Sequence, residues 1–180
     1  MALTLSDLRP VHVAGVGFHP YQNPSETPYV GLGLKAIRAA LDDARIDWPA
    51  VESTYVATAL LGLAAGRPML RHLGAHGTPV VHIENASASG SAAFRQACIE
   101  VAAGISDVAL VVGVDKVPNG IRRPATGIPS LADDAIVPFT HFALLTDAYA
   151  RRHGIAPEDV ARVAVKNHAN GARNPNAQRR

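Results

Sequence analysis

The stretch Val81–Ser91 reads Val-His-Ile-Glu-Asn-Ala-Ser-Ala-Ser-Gly-Ser, and it decides the fold more than any other part of the chain. Its apolar beginning is typical of a strand, and within four residues it turns into a run of small side chains that favours a helix. Such a turn presents one side chain, that of Ser87, at a helix N-terminus. Unpaired backbone N–H groups and the helix dipole favour developing negative charge there. Ser87 is therefore our first candidate for a functional residue.

Strands and helices alternate on both sides of this turn. The apolar patterns predict strands over residues 12–18, 53–58, 80–84 and 108–114. They predict helices over residues 30–44, 65–73, 87–103, 140–153 and 158–170. This order indicates an α/β fold with a largely parallel sheet. The small side chains of the helix 87–103 predict that it is a central, buried helix.

The character of the chain changes after Asp115. Prolines and glycines crowd residues 117–129, at Pro118, Gly120, Pro124, Gly127 and Pro129. An irregular segment of this length usually serves a site or an interface. We therefore predict two parts, an α/β core over residues 1–116 and a long loop with helices over residues 117–180.

Composition excludes several classes of protein. The chain has 180 residues, of which 48% are hydrophobic and 18% charged, and these values fit a folded domain. Its formal net charge of +2 is too small to argue for nucleic acid as a partner. The N-terminus does not resemble a signal peptide, and no apolar run approaches the ~18 residues of a membrane span. We therefore expect a cytoplasmic protein without a membrane partner.

Three local patterns are interpreted as structural. The single cysteine, Cys98, excludes a disulfide framework and is expected to be a small buried side chain. Gly15-Val16-Gly17 lacks the third glycine and the helix of a dinucleotide site. His72 and His76 are four residues apart, but Gly74 lies between them and no acidic ligand is near. We predict no metal site.

Residues 84–91 resemble the nucleophile segment of the thiolase superfamily, in which Asn-x-Cys-(Ala/Ser)-(Ser/Thr)-Gly-(Ser/Gly) is typical. Residues 107–116 resemble the strand and turn that follow it, and residues 165–178 resemble the sterol-carrier-protein branch. The resemblance implies a thiolase-like layered fold, with only its first half present and residues 117–180 as the loop-domain insertion. It implies a CoA thioester as substrate and no cofactor. It also implies substrate-binding roles for Asn85, Gly90, Asn167 and His168.

This sequence departs from the family pattern where Ser87 replaces the cysteine. A helix N-terminus can lower the pKa of a cysteine thiol from ~8.5 to below about 7, which gives a thiolate that accepts an acyl group. A serine hydroxyl needs an adjacent base instead. We therefore expect Ser87 to orient substrate, buried at the floor of a cleft, rather than to carry an acyl group.

Thiolase-like aldolases that shorten steroid side chains share the pattern Asn-Ala-Ser-Ala-Ser-Gly-Ser. The resemblance implies retro-aldol cleavage of a β-hydroxyacyl-CoA, a lyase reaction that needs no acyl-enzyme. Two alternatives stay open. The first is an acetyl-CoA acyltransferase-type thiolase that uses another nucleophile, and the second is a non-catalytic subunit that binds lipid or acyl-CoA.

The resemblance also carries expectations about partners. It implies a homodimer joined through the strand 80–84 and a small OB-fold, zinc-ribbon partner that binds acyl-CoA. In the superfamily, the second half of the fold contributes the histidine-bearing motifs of the pocket. We therefore expect these 180 residues to be a fragment or one part of a split enzyme, inactive alone.

Overall fold

The computed structural model describes residues 4, 7–21, 26–116 and 138–178, and for residues 138–140 it describes the backbone only. The chain divides into two compact units. The first comprises residues 1–19 and 24–117, and the second comprises residues 20–23 and 118–180. The predicted loop over residues 117–137 lies outside the described residues. The assignment of residues 117–180 to a loop domain stays a prediction.

The first unit alternates helices and strands, as the sequence predicts. Its helices are α1 (Tyr29–Ala44), α2 (Gly66–Leu70) and α3 (Ser89–Ala102), and its strands are β1 (Ser53–Ala57), β2 (Val80–Ile83) and β3 (Ala109–Gly113). Short 3₁₀ turns cover Trp48–Ala50, Arg71–Leu73 and Ala86–Ala88. Each of these helices and strands lies within about two residues of its predicted bounds, apart from the end of the helix predicted over 65–73, whose last turn is 3₁₀.

The three strands form one parallel sheet in the order β2-β1-β3. Ala57 is level with Ile83 on one side and with Gly113 on the other. The carboxyl ends of all three strands therefore meet at the same edge of the sheet. Open α/β sheets bind their ligands at such an edge.

Helices cover both faces of the sheet. Val56, fully buried, faces the cluster that α1 and α2 form with Ile37 and Met69. Tyr55, next along β1, faces the opposite cluster with Ala93 of α3. Because side chains alternate along a strand, β1 is buried on both sides and its five residues are all buried. The result is the layered α/β fold that the sequence predicts.

The predicted strand over residues 12–18 is wrong within the described chain. Residues 11–19 form no strand, and Gly15 and Gly17 instead lie against α1. A Cβ on Gly15 would lie 2.5 Å from the Ala40 carbonyl oxygen, and a Cβ on Gly17 would lie 1.9 Å from that of Ala36. Both glycines are therefore required by close packing against a helix, and a nucleotide-binding role for them has no support.

A polar network connects the sheet to α3 near the C-terminal end of that helix. Tyr55 donates a short hydrogen bond to the Glu100 carboxylate, and Ser106 donates a 2.8 Å bond to its other oxygen. Burial, together with the Glu100 hydrogen bond and charge, raises the pKa of Tyr55 to about 12. Burial alone would raise the pKa of Glu100, but hydrogen bonds from Tyr55, Ser53 and Ser106 outweigh it and lower that pKa.

One face of α3 is buried and the other is open. Ser89, Ala93 and Ala97 are buried, whereas the side chain of Phe94 is 50% exposed. Cys98 is half-buried. The described residues thus bury only the face of α3 that packs on the sheet. They do not enclose the helix on several sides, as the sequence predicts for a central helix.

The second unit contains α4 (Pro138–His153) and α5 (Pro157–Gly171). Pro157 begins α5, where its missing N–H costs no hydrogen bond, and Glu158 and Asp159 complement the helix dipole. Both helices present large apolar side chains to solvent, among them Phe142 and Val163. Across the described part of the chain, every helix is too short or too polar to cross a bilayer.

Candidate functional site

The carboxyl edge of the sheet holds a carboxylate that joins two strands. Asp115, two residues beyond β3, accepts a 2.6 Å hydrogen bond from the Thr58 hydroxyl. It also accepts 2.9 Å bonds from the backbone N–H groups of Ala59 and Leu60. These contacts fix the loop that follows β1. The sequence analysis missed Thr58 and Asp115, although a polar residue directly after a buried strand is a usable signal.

The turn between β2 and α3 lies at the same edge. β2 ends at Ile83, Ala86–Ala88 form a 3₁₀ turn, and α3 begins at Ser89 rather than at residue 87 as predicted. The delay has a cause in the backbone, since Ala86 has a φ of 45°, in the left-handed region. That conformation costs a residue with a Cβ roughly 1–2 kcal/mol, so the surrounding contacts must enforce it.

Side-chain hydrogen bonds enforce the turn. The Ser89 hydroxyl accepts a 2.8 Å bond from the backbone N–H of Asn85 and donates a 2.8 Å bond to the carbonyl oxygen of Ala86. The Glu84 carboxylate accepts a 2.6 Å bond from the N–H of Ala86. Both peptide groups that flank the left-handed residue are thus held. The sequence analysis named neither Glu84 nor Ser89 as a site residue.

Ser87 lies at the middle of this turn, and its side chain is exposed. The prediction that it is buried at the floor of a cleft is wrong for the described chain. The reason is that the described residues build only the strand and helix that carry Ser87. Its position at the carboxyl end of β2, next to the start of α3, is as predicted.

Asn85 directly precedes the turn that carries Ser87, Gly90 is the second residue of α3, and both are exposed. A Cβ built on Gly90 would meet no atom within 4 Å in the described structure. Packing therefore does not require glycine at this position.

Asn167 and His168 lie in the second unit, on exposed positions of α5. The His168 Nδ1–H donates a 2.9 Å hydrogen bond to the carbonyl oxygen of Ala164. Because a carbonyl oxygen can only accept, Nδ1 carries a proton, and Nε2 has no hydrogen-bond partner among the described residues. The structure therefore describes the two predicted groups of site residues within separate units.

Two further histidines of the first unit, His76 and His82, make contacts with neighbouring backbone or ring groups. His76 lies edge-on to Trp48, with ring centroids 4.6 Å apart, and its Nε2 contacts the Val51 carbonyl oxygen at 2.8 Å. His82 accepts a 2.8 Å hydrogen bond from the N–H of Gly66. His, Cys, Asp and Glu side chains within the described ranges form no group of three that could hold a metal ion.

An open groove of about 360 Å³ lies beside β2. Its lining residues are Leu63, Ala64, Arg67, Thr78, Val80 and His82. None of the predicted site residues lines it. The groove therefore does not extend the site that Ser87 marks.

Comparison with known proteins identifies the family. The family model described as thiolase, N-terminal domain, matches residues 21–179. The chain belongs to the thiolase family. It is 32% identical over 178 residues to the benzoylsuccinyl-CoA thiolase subunit BbsB of Thauera aromatica. This match covers 94% of this chain and 45% of BbsB. It is 30% identical over 190 residues to sterol carrier protein 2 of Gallus gallus, and this match covers 94% of this chain and 34% of that protein.

A solved structure supports the fold over nearly the same range. The structure described as the Ltp2-ChsH2(DUF35) aldolase superposes with a TM-score of 0.75 at 23% identity. The match covers 91% of this chain and 44% of that one. The chain thus has the thiolase-like fold, and it spans less than half the length of the curated relatives described above.

Proposed function

We propose that the protein cleaves a carbon–carbon bond in a β-hydroxyacyl-CoA by a retro-aldol reaction. The observation that carries the proposal is the hydroxyl of Ser87, which occupies the turn where the resemblance places a cysteine nucleophile. The turn is held by a buried serine and a carboxylate, so the scaffold of the site persists while its usual reactive group is replaced.

The reaction needs no acyl-enzyme. A base removes the proton of the substrate's β-hydroxyl group, and the β-carbon becomes a carbonyl as the bond between the α- and β-carbons breaks. The electron pair of that bond passes to the α-carbon as the enolate of the thioester, which then takes up a proton. The products are a ketone or aldehyde and a shorter acyl-CoA, and no oxidant or reductant is consumed.

The exposed Ser87 side chain and the backbone N–H groups at the start of α3 are suited to hold the thioester oxygen as it gains charge. A hydroxyl contributes one O–H donor to this task and needs no base when it only donates a hydrogen bond. Thiolysis would need Ser87 to attack the thioester, and within the described residues its hydroxyl is hydrogen-bonded to no base that could take its proton. These features favour orientation of the substrate over acyl transfer.

The comparisons support this proposal. One of the relatives named above is a subunit of a benzoylsuccinyl-CoA thiolase, and the Ltp2-ChsH2(DUF35) structure is described as an aldolase. Its description also joins two polypeptides, and BbsB is named as a subunit. We accordingly propose that this protein acts with a partner subunit that binds acyl-CoA.

The test uses the complete protein with its partner and a β-hydroxyacyl-CoA, with products followed by mass spectrometry. We expect a carbonyl product and a shortened acyl-CoA in equal amounts, without added CoA. The Ser87→Ala variant should lose about 2–10-fold in kcat/KM, the effect of one neutral hydrogen bond. Ser91→Ala, on the exposed side of α3, is the matched control. An acyl group found on the Ser87 peptide, or cleavage of a 3-oxoacyl-CoA that requires CoA, would instead establish the acyltransferase.

A further inference from the structure

Ser89 differs from the other serines near the start of α3 in its burial and in its contacts. Its side chain is 5% exposed, and its hydroxyl touches the chain on both sides of the left-handed residue, at Asn85 and at Ala86. Ser91 is exposed and makes the ordinary bond of a helix serine, 3.0 Å to the carbonyl oxygen of Ala88. Ser89 therefore holds the peptide groups on both sides of Ala86, whereas Ser91 bonds only to Ala88, the last residue of the turn, and touches neither of those peptide groups.

The two Ser89 bonds act on the peptide groups that determine where residue 87 lies. The N–H of Asn85 lies before the left-handed residue Ala86, and the carbonyl oxygen of Ala86 lies after its φ and ψ angles. The Ser89 hydroxyl oxygen is hydrogen-bonded to both, so one buried atom holds both ends of the strained segment. Because Ser89 is itself anchored in α3 beside the buried Ala93, the tie connects the turn to the core of the unit. Without the hydroxyl, only the bond from the Ala86 N–H to the Glu84 carboxylate would still restrain Ala86, so we expect Ala86 to relax toward an ordinary helical φ and the side chain at position 87 to move with it.

We propose that Ser89 is the positioning residue for the side chain at position 87. It sets the left-handed conformation of Ala86 and so directs residue 87 away from the axis of α3 and toward the substrate. The inference rests on the proposed function only in taking residue 87 as the group that meets the substrate. Its test is read without turnover, so that failure of the proposed reaction and failure of this inference are distinguishable.

The experiment places a thiol at position 87 as a reporter. In the full-length protein carrying Ser87→Cys, the rate of alkylation by iodoacetamide is measured against pH, and mass spectrometry of peptides separates this thiol from Cys98. We expect alkylation at pH 7 about tenfold faster than for a thiol with the ordinary pKa of ~8.5, since backbone N–H groups stabilise the thiolate. Adding Ser89→Ala should slow that rate about fivefold or more. Adding Ser91→Ala, the matched control, should change it by less than about twofold.

Two further variants separate positioning from a general effect on folding. Ser89→Thr keeps the hydroxyl and should retain the fast rate. Ala86→Gly should partly restore the rate in the Ser89→Ala background, because glycine adopts a positive φ without help. The double variant also provides a folded comparison if Ser89→Ala alone is unstable. An unchanged rate in Ser89→Ala, equal slowing by Ser91→Ala, or no restoration by Ala86→Gly would each overturn the inference.

Discussion

The Thr58 hydroxyl donates a 2.6 Å hydrogen bond to Asp115, so that the residue after β1 is fastened to a carboxylate two residues beyond β3. The parallel register brings these two positions level at the carboxyl edge, with Ala57 opposite Gly113. The same carboxylate holds two successive backbone N–H groups. One side chain thus organises the loop that borders the site.

Replacing Asp115 should loosen this edge. Asp115→Ala removes the carboxylate that accepts hydrogen bonds from the Thr58 hydroxyl and from two backbone N–H groups. We expect the free energy of unfolding to fall by about 1–2 kcal/mol. This is near the low end for bonds to a charged group, because the carboxylate is exposed. Thr58→Val should cost less, and the double variant less than the sum. Urea unfolding of the four proteins measures this coupling. Asp42→Ala, on an exposed position of α1, is the control. Additive losses would contradict the shared anchor.

Gly90 should matter for ligand binding and not for folding. Because a Cβ there meets nothing within 4 Å, Gly90→Ala should leave the midpoint of thermal unfolding nearly unchanged. Gly33→Ala provides the contrast, since its Cβ would lie 2.2 Å from the Met69 sulfur and should destabilise the unit. Calorimetric titration with an acyl-CoA should show weaker binding for Gly90→Ala. Unchanged affinity would remove Gly90 from the proposed site.

The Tyr55 phenol should make stability fall at high pH. Its pKa is raised to about 12 in the folded chain, against ~10 for an ordinary tyrosine. The unfolded chain therefore ionises first, and the stabilisation is present below pH ~10 and is lost between there and about 12. The difference in unfolding free energy between the natural protein and Tyr55→Phe should shrink across that window. A constant difference from pH 8 to pH 11 would contradict the sign.

Glu100 should produce the opposite dependence at low pH. Hydrogen bonds lower its pKa in the folded chain below the ordinary value of 4.5, so its stabilisation is present above that value and disappears as the pH falls through the lowered one. Denaturant unfolding of the natural protein and Glu100→Gln between pH 3 and 7 should show the two curves converging toward acid. Curves that diverge toward acid would reverse this assignment.

The outer edge of β2 should join two copies of the chain. β2 is the end strand of the sheet, and Val81 on it is 43% exposed. An apolar edge strand is an aggregation hazard unless it is paired. We expect the full-length protein to be a dimer and Val81→Lys to shift it toward monomer while its circular dichroism stays the same. Sedimentation velocity measures the oligomeric state of the natural protein and of the variant. A monomeric natural protein would count against the interface.

His168 should contribute more to binding than to chemistry. Its Nδ1 is occupied by the Ala164 carbonyl oxygen, which fixes the ring and leaves Nε2 to contact a ligand. In the complete enzyme, His168→Ala should raise KM several-fold and change kcat by less than about threefold. His153→Ala, on the exposed α4, is the control. A larger effect on kcat than on KM would place His168 in the chemical step.

Local patterns predicted most of the helices and strands of the first unit, because their apolar periodicity reflects burial on the sheet. The continuous apolar run of β3 and the stripe of α1 are examples. Residues 12–18 have the same apolar character, yet they pack along α1, because a strand also needs a partner edge and no local signal supplies one. The spacing of Gly15 and Gly17 was the available clue to close packing.

The site was predicted unevenly for a related reason. The position of Ser87 follows from a strand-to-helix pattern within a few residues. Its burial depends on walls that the described residues do not build, and the prediction of a buried side chain therefore failed. Ser89 and Asp115 were missed because their roles depend on three-dimensional hydrogen bonds. Burial of a serine beside small side chains is only a weak signal in sequence.

The side-chain hydrogen bonds that hold the turn run between residues 84 and 91, and none of them uses the side chain of residue 87. An exchange of thiol for hydroxyl at that position therefore leaves the scaffold as it was. In a family with this arrangement, a single substitution at this position can change the reaction without changing the stability of the fold. The fixed turn and the replaceable side chain would then account for divergent chemistry on a common frame.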